Sequence, residues 1–304
     1  MKRREFIVKS ASVGTFVSLF GPQLLDFSLT KHKKITILHT NDTHSHIDPF
    51  EASHPQFPNQ GGAARRAKMI DDIRQENPNM LLLDAGDMFQ GTPYFNFYGG
   101  ELEIKLMNML KYDASAIGNH EFDNGVESMA EQLQKANFDI LLANYDFSKT
   151  AMGGIAKPYK IFTVDGVKIG VFGLGIELQG LVNKREYGET EYLSPIEITQ
   201  DMVRILKKEE KCDLVICLSH LGYQYNSSKI SDVLLAQQTQ DIDLIIGGHT
   251  HTFLDKPQVF KNKIGKDVIV NQVGCFGLRL GRIDFYFEDN KQLESNNSNN
   301  MKVE

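Results

Sequence analysis

Short runs of consecutive apolar residues alternate along the chain with segments of helical periodicity, and this alternation limits the possible folds more than any other feature. Residues 80–84 and 214–219 are such runs. Strands that are apolar at successive positions are typical of sheets buried on both faces. Further strands are predicted at residues 35–40, 114–117, 140–143, 244–246 and 268–273. The pattern therefore indicates an α/β fold whose sheets are covered on both sides.

Helices are predicted between these strands, and one hairpin signal is strong. Apolar residues recur at helical spacing over residues 63–75, 102–110, 126–135, 196–208 and 231–237. Asp165 and Gly166 separate two apolar runs, 159–164 and 167–172, and this dipeptide is typical of a tight β-hairpin turn. Because a hairpin is antiparallel, we expect mixed pairing in the sheets.

The composition supplies a sizeable core and excludes several classes of protein. Of the 304 residues 41% are hydrophobic, and the mean hydropathy of −0.30 excludes a disordered chain and a polytopic membrane protein. The 33 Lys and Arg residues and 39 Asp and Glu residues give a net charge of −6, without the basic face that a nucleic-acid duplex requires. Three cysteines, none in a CxxC pair, do not form a disulfide framework.

Residues 1–30 are predicted to be an export signal. Arg3 and Arg4 precede an apolar run at residues 11–21, which is shorter than the ~20 residues needed to span a bilayer and matches the apolar region of a signal peptide. The paired arginines resemble a bacterial twin-arginine signal. That resemblance implies a periplasmic protein without an integral membrane span in its mature form. The alternative is an ordinary basic N-terminus on a cytoplasmic protein.

Five polar segments begin where predicted strands end. In chain order they contain Asp42 and His44, then Asp87, then Asn119 and His120, then His220, and finally His249 and His251. Because ligands of open α/β sheets bind beyond the carboxyl ends of the strands, these segments should converge on one crevice. The two residues of the first segment are two positions apart, as are the two histidines of the last. An extended backbone would point both members of each pair to the same side.

Carboxylates, an amide and several imidazoles form a mixed oxygen and nitrogen donor set, which suits borderline transition metals better than Ca²⁺. Ordinary structural interpretations remain open for some of these residues. Asp87 and Asn119 follow glycines and could belong to turns, and Asp123 could cap the helix predicted at residues 126–135. Asp84 could either support the site or end its strand. We interpret four other histidines as surface or core residues: His32, His39, His46 and His54.

The ordered series D-x-H, G-D, G-N-H-E, H and G-H-x-H resembles the calcineurin-like metallophosphoesterases. Residues 39–42, 61–65, 118–123 and 272–282 are similar to the 5′-nucleotidase branch of that family. The resemblance covers residues 34–287, and five motifs in order are far more specific than any one of them. It implies a catalytic domain over residues 31–288 with a four-layer α/β/β/α sandwich and mixed sheets.

The resemblance further implies a dinuclear centre that binds two divalent ions of the Zn, Mn, Fe or Co class. The ligands of the first ion would be Asp42, His44 and His251, and those of the second Asn119, His220 and His249, with Asp87 bridging both. His120 would act as the general acid toward the leaving group, and Asp123 would orient its imidazole.

The implied activity is hydrolysis of phosphomonoesters, with nucleoside 5′-monophosphates as the expected substrates. Alternatives are a 2′,3′-cyclic-nucleotide phosphodiesterase, a thiosulfohydrolase-like enzyme, and a metal-bearing subunit without turnover. The branch usually carries a C-terminal domain that stacks the nucleobase, whereas residues 289–304 are predicted to be a polar, disordered tail. A separately encoded domain of that type is therefore one expected partner, and the alternative is a promiscuous phosphatase that acts alone.

Overall fold

The computed structural model describes residues 32–288, 291–292 and 297–304. The predicted export signal at residues 1–30 lies outside the described residues. From Lys33 onward the chain forms one compact unit built on two large β-sheets.

The first sheet has seven strands. Four neighbouring strands pair in parallel, in the spatial order β1 (Lys33–Thr40), β2 (Met80–Asp84), β3 (Ala114–Ser115) and β4 (Asp139–Ile140). On the other side of β1 lies β13 (Arg279–Glu288), which is antiparallel to β1. The last two strands, β14 (Lys291–Gln292) and β15 (Asn297–Lys302), both pair antiparallel with β13.

The second sheet has six strands in the order β11-β12-β10-β9-β7-β6. Its parallel strands are β7 (Val167–Leu174), β9 (Leu214–Ser219), β10 (Leu244–Gly247) and β12 (Asp267–Asn271). Its antiparallel edges are β6 (Tyr159–Val164) and β11 (Gln258–Lys261). The predicted hairpin is confirmed, because β6 and β7 pair on either side of Asp165 and Gly166. A separate two-stranded sheet pairs β5 (Tyr145–Asp146) with β8 (Glu191–Tyr192).

The predicted helices are all present in the described chain, together with two short ones that the periodicity did not indicate. They are α1 (Ala63–Glu76), α2 (Pro93–Tyr98), α3 (Glu101–Leu110), α4 (Val126–Leu133), α5 (Lys184–Tyr187), α6 (Pro195–Val203) and α7 (Asp232–Gln238). The helix predicted over residues 196–208 is present in two parts. It is an α-helix up to Val203 and a π-helix over Arg204–Glu209.

Alternation along the strands builds three apolar layers and thereby confirms the four-layer sandwich. In β1, Ile35 and Ile37 belong to the core between the two sheets, whereas Leu38 packs on the opposite face with Ile70 of α1. In the second sheet, the even-numbered residues of β9 face the core between the sheets. Val215 and Cys217 of β9 face the other way and pack with residues of α6 and α7. The period of two in a strand therefore gives each sheet one face toward its helices and one toward the other sheet.

The prediction of a disordered tail is wrong for residues 297–304. Strand β15 pairs with β13 in register from Asp284↔Asn297 to Arg279↔Lys302, and Val303 is fully buried. The asparagine-rich composition suggested disorder because it offers little apolar area to bury. The edge of β13 nevertheless supplies backbone partners, and the buried amide of Asn300 is hydrogen-bonded by Asn271.

Candidate metal centre

Loops from both sheets meet where β1, β2, β9 and β10 end, and two clusters of metal-type side chains lie there. Within each cluster, one donor atom from every side chain lies within 4.8 Å of the others. The first cluster is Asp42, His44 and His251, and the second is Asp87, His220 and His249. Asn119 joins the second, because its Oδ1 is 2.8 Å from His249 Nδ1. The structure thus brings together the seven residues that the sequence assigned to a metal centre.

The two carboxylates lie between the clusters and reach both of them. Asp87 Oδ2 is 3.0 Å from His220 Nε2 and 3.9 Å from His44 Nε2. Asp42 Oδ1 is 3.3 Å from His251 Nε2 and 4.0 Å from His220 Nε2. Both carboxylates are almost fully buried. Because both carboxylates lie between the clusters, the bridging role that the resemblance implies for Asp87 stays a prediction.

We expected an extended backbone to point Asp42 and His44 to the same side, and likewise His249 and His251. That expectation is wrong. Five of the seven expected ligands have left-handed backbone conformations, with φ between 47° and 73°. They are Asp42, His44, Asp87, His249 and His251. Such conformations are sparsely populated by residues other than glycine and persist only where the surrounding structure enforces them. Tight left-handed turns at the strand ends therefore direct the ligands.

The histidines of the centre are oriented through their second ring nitrogen. Nδ1 of His220 lies 2.7 Å from the carbonyl oxygen of Ala85, and Nδ1 of His44 lies 3.2 Å from that of Phe89. A carbonyl oxygen only accepts, so Nδ1 carries a proton in both rings and Nε2 faces the cluster. This arrangement is typical of histidines that ligate metals.

The electrostatics of the clusters also fit divalent ions. Burial lowers the pKa of His249 to about 4 and lowers that of His44, so these imidazoles are neutral at pH 7 and able to ligate. Burial opposes the charged form of His220 as well, but the charges of Asp87 and Asp42 and the hydrogen bonds to Asp87 and Ala85 together outweigh burial and raise the His220 pKa to about 10. In the metal-free protein Nε2 of His220 therefore also carries a proton, and a bound ion would displace it.

Two close contacts within the clusters mark places where a cation could replace a proton. His44 Nε2 lies 2.9 Å from His251 Nε2, so one of these two nitrogens carries a proton in the hydrogen bond between them. His220 Nε2 is fully buried and faces Asp87 Oδ2 at 3.0 Å. Histidine binds a metal through a deprotonated nitrogen, and metal binding releases the proton. The residues present thus fit two divalent ions.

His120 and Asp123 form a pair at the edge of the centre. His120 Nδ1 is 2.8 Å from Asp123 Oδ2, and this hydrogen bond raises the His120 pKa to about 9. The backbone N–H of His120 donates to Asp87 Oδ1 at 2.9 Å, which fixes the pair relative to the clusters. The alternative that Asp123 caps α4 is wrong, because the residue at the cap position is Gly125 and no side chain caps that helix.

Glu121 is a supporting residue that sequence reasoning missed. Its buried carboxylate accepts hydrogen bonds from the backbone N–H groups of Asp87, Met88, Phe89 and Gly118, at 2.6–3.1 Å. It therefore joins the turns that follow β2 and β3. Burial, together with the charge of Asp87, raises the pKa of Glu121 to about 7. The only sequence signal is its position directly after His120.

The remaining open interpretations are resolved by contacts. Asp84 is fully buried at the end of β2 and accepts hydrogen bonds from Thr40 Oγ1 at 2.5 Å and the Gly86 N–H at 2.9 Å, so it both ends its strand and supports the following turn. His39 is a core residue whose Nε2 lies 2.7 Å from the Asn271 amide nitrogen. His46 and His54 pack against Phe50, and His32 is exposed.

The sandwich and the paired clusters at its edge together define a class of protein, the metallophosphoesterases. The profile of the calcineurin-like phosphoesterase family matches residues 35–253, and the chain belongs to that family. None of the helices in the described part of the chain is long and apolar enough to cross a membrane.

Several relatives narrow the comparison. The chain is 34% identical over 297 residues to the trifunctional nucleotide phosphoesterase protein YfkN of Bacillus subtilis, covering 87% of this chain and 19% of that protein. It is 34% identical to human 5′-nucleotidase, covering 88% of this chain and 49% of that one. The crystal structure of the 5′-nucleotidase precursor from Thermus thermophilus superposes with a TM-score of 0.80 at 33% identity, covering 89% and 54%. The chain spans about half of the latter two proteins and less of the first.

Proposed function

We propose that the protein hydrolyses phosphomonoesters, and that nucleoside 5′-monophosphates are its substrates. The observation that carries the proposal is that two metal-type clusters share two carboxylates beside a hydrogen-bonded His–Asp pair. The first ion would be held by Asp42, His44 and His251, and the second by Asn119, His220 and His249, with Asp87 between them. Divalent ions bound in such a pair lower the pKa of water and stabilise charge on a phosphoryl group.

The role of His120 is to protonate the leaving group. Asp123 occupies Nδ1 of the imidazole, so Nε2 is the atom that can donate to a leaving oxygen. In the protein without metal, the hydrogen bond to Asp123 raises the His120 pKa to about 9, which favours the protonated imidazole that a general acid requires. The hydrogen bond from its backbone to Asp87 holds this donor at a fixed place beside the clusters.

A cleft next to the proposed metal centre favours substrates whose leaving group carries no phosphate of its own. The cleft has a volume of about 520 Å³ and is lined by residues 46–51, 53–55 and 92–94, with no Lys or Arg among them. Its inner wall adjoins the centre, because the ring of His46 lies 4.3 Å from that of Phe276 and Phe276 lies 5.9 Å from His44. The acidic Asp48 and Glu51 would repel additional phosphates. A nucleoside fits this cleft better than a polyphosphate tail does.

The test measures turnover by the purified, metal-loaded chain, with and without chelator. The readout is phosphate release from adenosine 5′-monophosphate and from p-nitrophenyl phosphate, and chromatographic detection of the ring-opened nucleoside monophosphate from a 2′,3′-cyclic nucleotide. We expect release from the two monoesters, lost with chelator and restored by added Mn²⁺ or Zn²⁺. Turnover of the cyclic nucleotide alone would indicate a phosphodiesterase instead. Bound metal without turnover of any substrate would indicate a non-catalytic subunit.

We further propose that a 5′-nucleotidase C-terminal-type domain outside this sequence adds contacts to the nucleoside. The greater length of the relatives supports this proposal. Binding energy from a remote base can help to orient the phosphate and so raise turnover. The measurement is kcat/KM of this chain for a nucleoside monophosphate and for a simple aryl phosphate. A strong preference for the nucleotide would show that the chain's own loops suffice.

We also propose that the protein is exported to the periplasm by a twin-arginine signal. Support comes from the sequence alone, in which Arg3 and Arg4 precede a short apolar run. Replacement of both arginines by lysine should leave the precursor in the cytoplasm, as fractionation and immunoblotting would show. Unchanged export of that variant would contradict the proposal.

A further inference from the structure

The loop over residues 248–254 carries a ligand for each of the two clusters. His249 belongs to the second cluster and His251 to the first. Both have left-handed backbones, with φ of 73° and 53°, and the loop contains no regular secondary structure. A strained loop of this kind keeps one conformation only if other groups fix it.

Gln272, directly after β12, fixes the middle of this loop. Its side chain is fully buried, and its Nε2 donates to the carbonyl oxygen of Gly248 at 2.6 Å. Its Oε1 accepts hydrogen bonds from Thr250 Oγ1, at 3.0 Å, and from the Thr252 N–H. The three contacted residues alternate with the two histidines. An amide is the side-chain group that can donate and accept in this way at once.

Asn300 of β15 fixes the end of the same loop. Its Nδ2 donates to the carbonyl oxygen of Leu254 at 2.8 Å, and Arg279 donates to the same oxygen at 2.7 Å. The amides of Asn300 and Asn271 are paired reciprocally at 2.7 and 2.9 Å. Asn271 directly precedes Gln272, so the residue that pairs with Asn300 and the residue that fixes the middle of the loop are neighbours at the end of β12.

Val303, the residue directly after β15, is hydrogen-bonded to a second segment near the proposed centre. The Val303 N–H donates to the carbonyl oxygen of Leu278 at 3.0 Å, and the Gly61 N–H donates to that of Val303 at 2.8 Å. Leu278 lies in the segment whose Phe276 N–H donates to the Asp42 carbonyl oxygen at 2.7 Å. The C-terminal strand therefore contacts the surroundings of ligands from both sheets.

We propose that Gln272 and Asn300 are positioning residues of the metal centre, and that β15 belongs to its framework. The proposal rests on the metal centre proposed above. Because the loop carries one histidine of each cluster, loosening it weakens the binding of both ions, whereas loss of one ligand such as His251 affects chiefly one. Substitution of groups that orient metal ligands typically lowers metal affinity by ~10–100-fold.

The test uses isosteric variants of the full chain. Gln272→Glu keeps the acceptor toward Thr250 and Thr252 but removes the donor toward Gly248, and Asn300→Asp removes the donor toward Leu254. Asn299→Asp is the matched control, because Asn299 is an exposed neighbour on the same strand. Titration of the metal-free variants with Co²⁺, followed by absorption, should show ~10–100-fold weaker binding of both ions in the first two variants and parent affinities in the control. Parent affinities in all three would overturn the proposal.

A second measurement does not depend on metal. Amide hydrogen exchange of the metal-free protein should become faster over residues 248–254 in Gln272→Glu and Asn300→Asp, relative to the control. Unchanged exchange there would overturn the proposal, even if the variants melt at lower temperature. If the parent binds no Co²⁺, the proposed metal centre is wrong, and the exchange data then decide by themselves whether the two amides hold the loop.

Discussion

Among single residues, the buried carboxylates carry the greatest electrostatic weight. Asp42 accepts hydrogen bonds from the His249 N–H at 3.0 and 3.1 Å, and from the Asn41 amide at 2.6 Å. Asp87 accepts from the His120 N–H and faces the imidazole of His220. The protein thus keeps two negative charges away from water, and the proposed ions would balance them.

Replacement of Asp87 by asparagine should weaken the binding of both ions. The neutral amide keeps the size of the side chain but removes the charge that reaches both clusters. We expect metal content after dialysis to fall at both sites, and Co²⁺ affinity to fall by at least the ~10–100-fold typical of outer-shell changes. Asp48→Asn, an exposed acid of the neighbouring cleft, serves as the control. Loss of one ion alone would show that Asp87 does not bridge.

Replacement of His120 by alanine should separate chemistry from metal binding. Metal content should equal that of the parent, while turnover of adenosine 5′-monophosphate falls by ~10²–10⁴. The loss should be smaller for p-nitrophenyl phosphate, because its acidic leaving group needs little help from a proton donor. Steady-state kinetics with both substrates makes the comparison. An equal loss for the two, or a loss of metal, would contradict the role of His120 as general acid.

At the scale of elements, the ends of β2 and β9 were predicted correctly, whereas β3, β4 and β12 end two or three residues before their predicted ends. The shapes of the turns were not predictable. The apolar run of β9 ends at Ser219, so the location of His220 follows from the sequence. The spacing of Asp42 and His44 is equally compatible with an extended and a left-handed backbone, and only tertiary contacts select the latter. The contact between Glu121 and the turn after β2 joins residues more than thirty positions apart. No local pattern indicates it.

Helix α7 brings a buried acid to the ends of β9 and β10. Asp232 Oδ1 accepts from Ser219 Oγ at 2.5 Å, and Oδ2 has no hydrogen-bond partner within the described chain. Any side chain at Gly247 would collide with this oxygen, because a Cβ there would lie 2.0 Å from it. Burial raises the pKa of Asp232 to about 8.

This acid should make stability depend on pH. Above about pH 4 the unfolded chain loses the proton, whereas the folded protein retains it until about pH 8. The contribution of Asp232 to the free energy of unfolding therefore falls as pH rises between these values, by at most about 1.4 kcal/mol per pH unit, and is constant above them. Asp232→Asn has no such dependence.

Urea denaturation of the metal-free proteins at pH 5, 6.5 and 8 measures the effect. The stability of Asp232→Asn relative to the parent should increase with pH. Asp255→Asn serves as the control, because the side chain of Asp255 is 97% exposed. A difference between Asp232→Asn and the parent that stays constant across these pH values would show that Asp232 ionises normally in the folded protein.

For the molecule as a whole, each cluster combines side chains from both sheets. In the first cluster, Asp42 and His44 follow β1 of the first sheet and His251 follows β10 of the second. The second cluster is divided in the same way, with Asp87 after β2 and His220 after β9. The layered arrangement itself was expected from the resemblance and is confirmed. The pairing of β15 was not predictable, because it depends on an edge of β13 and not on apolar residues in β15.

Removal of the ions should therefore destabilise the whole domain. An ion present at ~100 times its dissociation constant adds ~2.7 kcal/mol to the free energy of unfolding. For a protein of this size each kcal/mol shifts Tm by ~2–4 °C, so two ions should add ~10 °C or more. Calorimetry with and without chelator measures the shift. His120→Ala should show the same shift as the parent, and an unchanged Tm after full metal removal would contradict the cross-sheet ligand sets.

The left-handed backbone at five of the expected ligands would limit which metals the protein could come to prefer during evolution. Aspartate, histidine and asparagine are the non-glycine residues that adopt this conformation most readily, and they are also ligands for borderline and hard cations. Cysteine lacks that conformational advantage, so a mutation that replaced one of these residues by cysteine would strain the backbone as well as change the donor atom. The need to keep the left-handed turns would thus favour oxygen and nitrogen ligands at the centre, whatever reaction the protein catalyses.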